Sequence, residues 1–244
     1  MEKQIKIRLS SQIFIYGKLQ GTVNLPLVIL VHGLASSMDS HLITRATQIL
    51  SDANFATFRL NLYDDKNDAR QMRDTNLRIH ALDIDTVVNY FKKKKFKKII
   101  LVGHSYGGAS ILLSLEQKFD SAILWDPSHN VSFTKSDIGS KKTQFLKNIQ
   151  CYLLEWGITF VIGKSMVTEA DNLDWDSLTK KFKVPLSIIT ADKGSLVASS
   201  KHYFKTAMNP RKFAKLKGAS HNFNDTSDTI PELLSLTTEF IALT

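Results

Sequence analysis

A chain of 244 residues, 43% hydrophobic and 23% charged, has the makeup of a folded domain with a full-sized core rather than of a disordered or fibrous protein. No apolar run approaches the ~20 residues of a membrane-spanning helix, and the single cysteine, Cys151, excludes an internal disulfide and a cysteine-only metal site. The net charge of +9 would suit an anionic partner, but its density is concentrated in FKKKKFKK, residues 91–98, where Lys92–Lys98 read as the solvated end of a helix running into a strand.

The opening, MEKQIKIRLSSQIFIYGKL, has scattered charge and no apolar signal-peptide core, so a cytoplasmic protein is expected. QIKIRLS and QIFIYGKL alternate with period two and predict a hairpin. LPLVILVHG, residues 25–33, is nearly continuously apolar, as befits a strand covered on both faces. HLITRATQILSDA has helical spacing, and FATFRLNLY is a further strand. DDKNDARQMRDTN is loop-like, and LRIHALDIDTVVNYFKKK is an amphipathic helix. IILVGHSYGG joins a buried strand to the helix GGASILLSLEQK. SAILWD, PLSIITAD and RKFAKLKG are three more strands, and PELLSLTTEFIAL is a closing helix with Pro231 near its first turn. Strands alternating with helices predict an α/β fold with a mostly parallel sheet.

The alternation breaks between Asp126 and Pro185. KKTQFLKNIQCYLLEWG places Phe145, Ile149, Tyr152, Leu153 and Trp156 at helical spacing, with Cys151 as a small apolar filler, and ITFVIG and DNLDWDSLTKKF follow. The spacing predicts a largely helical insertion whose apolar face packs on the core, on a ligand or on both.

Chemistry concentrates at Gly103-His104-Ser105-Tyr106-Gly107. A serine on a sharp turn between a buried strand and a helix is held above the sheet edge, and glycines two residues to either side let the turn close. A serine hydroxyl needs a base, and GASHNF supplies His221 in a loop after the last strand. The imidazole needs an orienting carboxylate. Asp192 ends PLSIITAD, the strand directly before the histidine strand, and is the first candidate; Asp126 in LWDPSH also ends a strand and is the second. The backbone N–H groups of Leu34, after His32-Gly33, and of Tyr106 are the candidate oxyanion donors. His32 and His104 flank the site, as structural hydrogen-bonders or as part of a substrate pocket with Trp156 and Phe160. No pair among His41, His80, His129 and His202 has metal-ligand spacing, and there is no glycine-rich phosphate loop, so neither a metal nor a cofactor is expected.

The four ordered elements, HG at Gly33, GHSYGG at Ser105, AD at Asp192 and GASH at His221, resemble the α/β-hydrolase-fold serine hydrolases of esterase and lipase type, whose triad order is Ser, Asp, His. The resemblance implies a mostly parallel eight-stranded sheet with helices on both faces. It also implies a core of residues 1–126 and 184–244 and a small helical cap, 127–183, inserted after the sixth strand. One departure is LNLYDDKNDARQ, which lacks the glycines many members carry after the fourth strand. The resemblance places the lysine run opposite the catalytic face. The expected activity is hydrolysis of a small-molecule carboxylic ester of small to medium acyl chain through an acyl-serine, with no nucleic-acid partner. Thioesterase, amidase or peptidase, C–C hydrolase and perhydrolase chemistries share the same triad, and a non-catalytic receptor is the remaining alternative.

Overall fold

The computed structural model describes residues 2–128, 133, 142–207 and 211–244. The predicted hairpin is β1 (Lys3–Arg8) and β2 (Phe14–Gln20), paired antiparallel. There follow β3 (Leu27–Val31), α1 (His41–Asp52), β4 (Ala56–Asn61), α2 (Leu77–Lys93), β5 (Ile99–His104), α3 (Tyr106–Leu112) and β6 (Ser121–Trp125). The insertion contributes β7 (Lys142–Leu146), β8 (Cys151–Glu155), β9 (Thr159–Gly163), α4 (Lys164–Asn172) and α5 (Trp175–Lys181). The chain returns to the core with β10 (Leu186–Ala191), α6 (Val197–Thr206), β11 (Arg211–Leu216) and α7 (Thr229–Leu243).

Eight strands form one sheet in the order β1-β2-β4-β3-β5-β6-β10-β11, parallel from β4 to β11. Period-two alternation explains how it is buried. On β3, Leu27, Ile29 and Val31 enter one apolar cluster with α2 and α3, while Val28 and Leu30 enter a second with α1 and α7. All five are fully buried, so each contributes ~1.5–3 kcal/mol relative to exposure. Helix α1 turns the stripe Leu42, Ile43, Ala46, Leu50 to that second cluster. Helix α2 starts where the Asn76 side chain accepts from the Ile79 N–H at 2.9 Å, and it ends in the lysine run. That run lies at the N-terminal end of β5, away from the strand ends that carry the site. Helix α6 escapes the sequence pattern because only Ser200 and Tyr203 of its ten residues are buried.

The insertion corrects the helical prediction. Its segment 142–163 is a three-stranded antiparallel sheet, β7-β8-β9, and the described α-helices come only afterwards. Two turns with positive φ decide this: Gln150 at 52° and Gly157 at 80°. Phe145 and Tyr152, seven apart as on one helix face, meet instead as a cross-strand pair with ring centroids 4.8 Å apart. Cys151 is buried on β8, not on a helix. The cap shares the core of the body: Leu154, Ile162, Met166 and Val167 belong to the same cluster as Leu27 and Leu101. Glu169 of α4 accepts from the Arg78 N–H at 3.1 Å, tying cap to α2. Residues 129–132 and 134–141 of the predicted cap, His129 among them, lie outside the described residues. Among the described residues no helix is long and apolar enough to cross a membrane.

Candidate active site

The chain runs from β3 to β4 on one side and then returns past β3 to β5 on the other. This reversal opens a crevice at the C-terminal ends of β3 and β5, the switch point at which open α/β sheets take ligands. Ser105 stands at its edge with φ of 54° and ψ of −120°. Such a backbone costs ~1–3 kcal/mol and persists only where its surroundings impose it. They do so here by close approach. A Cβ on Gly107 would lie 2.5 Å from the carbonyl oxygens of Val31 and His32, and one on Gly103 would lie 2.6 Å from the Gly108 nitrogen.

The loop after β11 carries His221 back over β10 and β6 toward β5. His221 Nε2 stands 2.9 Å from Ser105 Oγ, and its Nδ1 stands 2.6 Å from Asp126 Oδ2. Asp126 is fully buried, and its other carboxylate oxygen accepts the Ala191 N–H at 3.2 Å. The structure thus joins Ser105 to His221 as the sequence predicts but replaces Asp192 by Asp126. Asp192 faces away: its Oδ1 accepts the Gly218 N–H at 2.6 Å and so fastens the turn after β11. Strand order is the reason. β6 is the neighbour of β5, so the end of β6 lies beside Ser105, whereas β10 is one strand further out.

The predicted oxyanion residues Leu34 and Tyr106 line the same cavity as Ser105 and His221. The loop bearing Leu34 is held from behind. Tyr63 Oη donates to the Gly33 carbonyl at 3.1 Å and accepts the Ser36 N–H at 3.2 Å. His32 Nδ1–H donates to the same carbonyl at 2.8 Å, and its Nε2 accepts the Leu62 N–H at 3.1 Å. This places the His32 proton on Nδ1. Burial lowers the His32 pKa to about 4. Tyr63 carries no motif, so nothing in the sequence signals its place here.

His104 Nε2–H donates to the His221 carbonyl at 2.8 Å, and burial first, then the neighbouring His221, lower its pKa to about 3. His32 and His104 are thus hydrogen-bonding supports behind the site, and neither is among the residues that line the cavity beside Ser105. Trp156, just after β8, and Phe160 on β9 do line the cavity, whose volume is about 450 Å³. Their rings meet edge to face at 5.8 Å, and Phe133 stacks on Trp156 at 5.5 Å. The cap thus packs on the core and also walls the site. Among the described residues no group of three or more His, Cys, Asp or Glu side chains is arranged to hold a metal ion.

Residues 23–153, more than half of the chain, match the model of the family described as "Putative serine esterase (DUF676)". No protein with a curated description matches the sequence. Among solved structures, Est1E from Butyrivibrio proteoclasticus with ferulic acid bound is similar over 98% of this chain and 99% of its own, with a TM-score of 0.80 and 21% identity. The alpha/beta hydrolase GrgF from Penicillium sp. is similar over 98% and 97%, with a TM-score of 0.77 and 13% identity. Mouse alpha/beta hydrolase domain-containing protein 10 covers 98% and 98%, with a TM-score of 0.75 and 15% identity. At such identities the likeness is one of fold, and the fold is that of the α/β-hydrolases.

Proposed function

The chain belongs to this family of serine esterases and is a carboxylic ester hydrolase; from that premise we propose that it cleaves esters of small to medium acyl chain through an acyl-serine on Ser105. The observation that carries the reading is the unbroken hydrogen-bonded line from Asp126 through His221 to Ser105. The buried Asp126 carboxylate keeps a proton on His221 Nδ1, which leaves Nε2 free to accept the proton of Ser105. Ser105 Oγ then adds to the ester carbonyl carbon, and His221 passes its proton to the departing alcohol. Water enters by the same route in reverse and releases the acid. The Leu34 and Tyr106 N–H groups receive the negative oxygen of each tetrahedral intermediate; a donor in such a place is worth ~10²–10³ in turnover.

A cavity of about 450 Å³ with Trp156 and Phe160 on one wall suits a small or medium acyl group, and the edge-to-face pair offers an apolar slot to a flat or short chain. The ferulic acid held by Est1E is an aromatic acid of that size class, which supports including aromatic acyl esters among the candidates.

The test is Ser105→Ala assayed on p-nitrophenyl butyrate together with a fluorophosphonate probe. Turnover is expected to drop at least ~10³-fold, and the probe to label Ser105 only when His221 is intact. A variant within tenfold of wild type, or folded wild-type protein that takes no label, overturns the reading.

A further inference from the structure

Ser105 Oγ has a second hydroxyl beside it. After β6 the chain turns at Asp126, whose φ is 42°, and passes through Pro127 to Ser128. The Ser128 N–H donates to the Ser105 carbonyl at 3.1 Å, and the two side-chain oxygens, Ser128 Oγ and Ser105 Oγ, stand 2.8 Å apart. Ser128 also lines the cavity. Three consecutive residues thus act on the same centre: Asp126 holds the imidazole, Pro127 stiffens the backbone between, and Ser128 meets the nucleophile.

Proton counting fixes the direction of that contact. A hydroxyl carries one proton. With the His221 proton on Nδ1 facing Asp126, Nε2 is an acceptor, and the Ser105 proton points to it. The hydrogen bond between the two serines is then donated by Ser128. We propose that Ser128 is a further catalytic residue, a neutral donor to the Ser105 oxygen whose effect falls mainly on deacylation; this rests on the acyl-serine reading above.

The asymmetry comes from comparing each transition state with its own starting state. Before acylation Ser105 Oγ is an alcohol oxygen that already accepts from Ser128. As it bonds to the acyl carbon and its proton moves to His221, that hydrogen bond changes little. In the acyl-enzyme, Oγ is an ester oxygen and a poor acceptor. Water then adds to the acyl carbon and gives its proton to His221. The tetrahedral intermediate collapses, the Oγ–C bond breaks, the electron pair stays on Oγ, and His221 returns the proton to it. Ser128 donates to this departing oxygen as charge develops and keeps its own proton throughout.

The experiment uses p-nitrophenyl dimethylcarbamate, which separates the two halves. Release of p-nitrophenol reports carbamoylation, and recovery of esterase activity reports decarbamoylation. For Ser128→Ala, decarbamoylation is expected to slow about 5- to 10-fold, the loss of one hydrogen bond, with carbamoylation within about twofold of wild type. Ser128→Thr, which keeps the hydroxyl, is expected to recover most of the decarbamoylation rate. Both rates within twofold of wild type in Ser128→Ala, an equal loss in both, or a threonine variant as slow as alanine overturns the role of Ser128 while leaving the triad intact. A wild-type protein that neither carbamoylates nor takes a fluorophosphonate label removes the acyl-serine reading and this inference with it.

Discussion

Asp126 Oδ2 lies 2.6 Å from His221 Nδ1, and the two residues are separated by 95 positions in the sequence. Among the described residues the buried carboxylate accepts from two donors, the imidazole and the Ala191 N–H. Replacing it by asparagine preserves shape but permits the wrong imidazole tautomer. Asp126→Asn is therefore expected to lower kcat on p-nitrophenyl butyrate by ~10³–10⁴. Asp192→Asn is the control: it faces Gly218 and should leave kcat within about threefold, while lowering the denaturant midpoint by the equivalent of ~1 kcal/mol. Equal losses from the two substitutions would remove Asp126 from its place as the acid.

The misplaced carboxylate shows what a sequence can and cannot give. Ser105, His221, the HG element and the α/β alternation are legible because each depends on local chemistry: a strand ending in a tight turn, or a loop after a strand. Choosing between Asp126 and Asp192 depends on which strand lies beside β5, and that is a fact of sheet order. Chain order favours Asp192, but the sheet sets β6 next to β5. The cap failed for another reason. Its apolar residues fit a helical period and a hairpin about equally, and only the turns at Gln150 and Gly157 distinguish them. Tyr63 was invisible because its role is a hydrogen bond to a distant backbone carbonyl.

That hydrogen bond gives a second prediction. Tyr63 Oη bridges Gly33 and Ser36, one residue before and two after Leu34, and so clamps the segment that carries the Leu34 N–H. Tyr63→Phe removes the bridge and keeps the ring. On the proposed reading the Leu34 N–H is an oxyanion donor, and loosening it acts on the transition state, so kcat should fall about tenfold with KM changed less than twofold. A change confined to KM would mean that Tyr63 supports only substrate binding.

Trp156 and Phe160 line the cavity beside Ser105, and on the proposed reading they set the size of the acyl slot. Trp156→Ala opens the wall and removes the surface on which Phe133 stacks. On a series of p-nitrophenyl esters, kcat/KM for butyrate should drop about tenfold, mainly through KM, while the octanoate-to-butyrate ratio rises by about the same factor. An unchanged ratio would show that the cap holds the fold together without selecting the acyl chain.

Acid sensitivity follows from three buried imidazoles. His32, His80 and His104 are all but inaccessible, and burial lowers their pKa values to about 4, about 3 and about 3. Among the described residues neither ring nitrogen of His80 has a hydrogen-bond partner, and the neighbouring His32 and Arg70 further oppose its protonation. In the unfolded chain each histidine takes a proton near pH 6.5. Between that pH and the folded value the unfolded state holds more protons, so stability falls as the pH falls. At pH 5 each such histidine costs about 2 kcal/mol, and three together approach the whole stability of an ordinary domain. Urea midpoints measured from pH 8 to pH 5 should hold steady above about pH 7 and then fall steeply. In His80→Phe, which keeps an aromatic ring at this buried position without a titrating group, the fall should be shallower by about a third. A variant whose slope equals that of wild type would show that His80 is not protonated on unfolding, and the acid sensitivity would then rest on His32 and His104 alone.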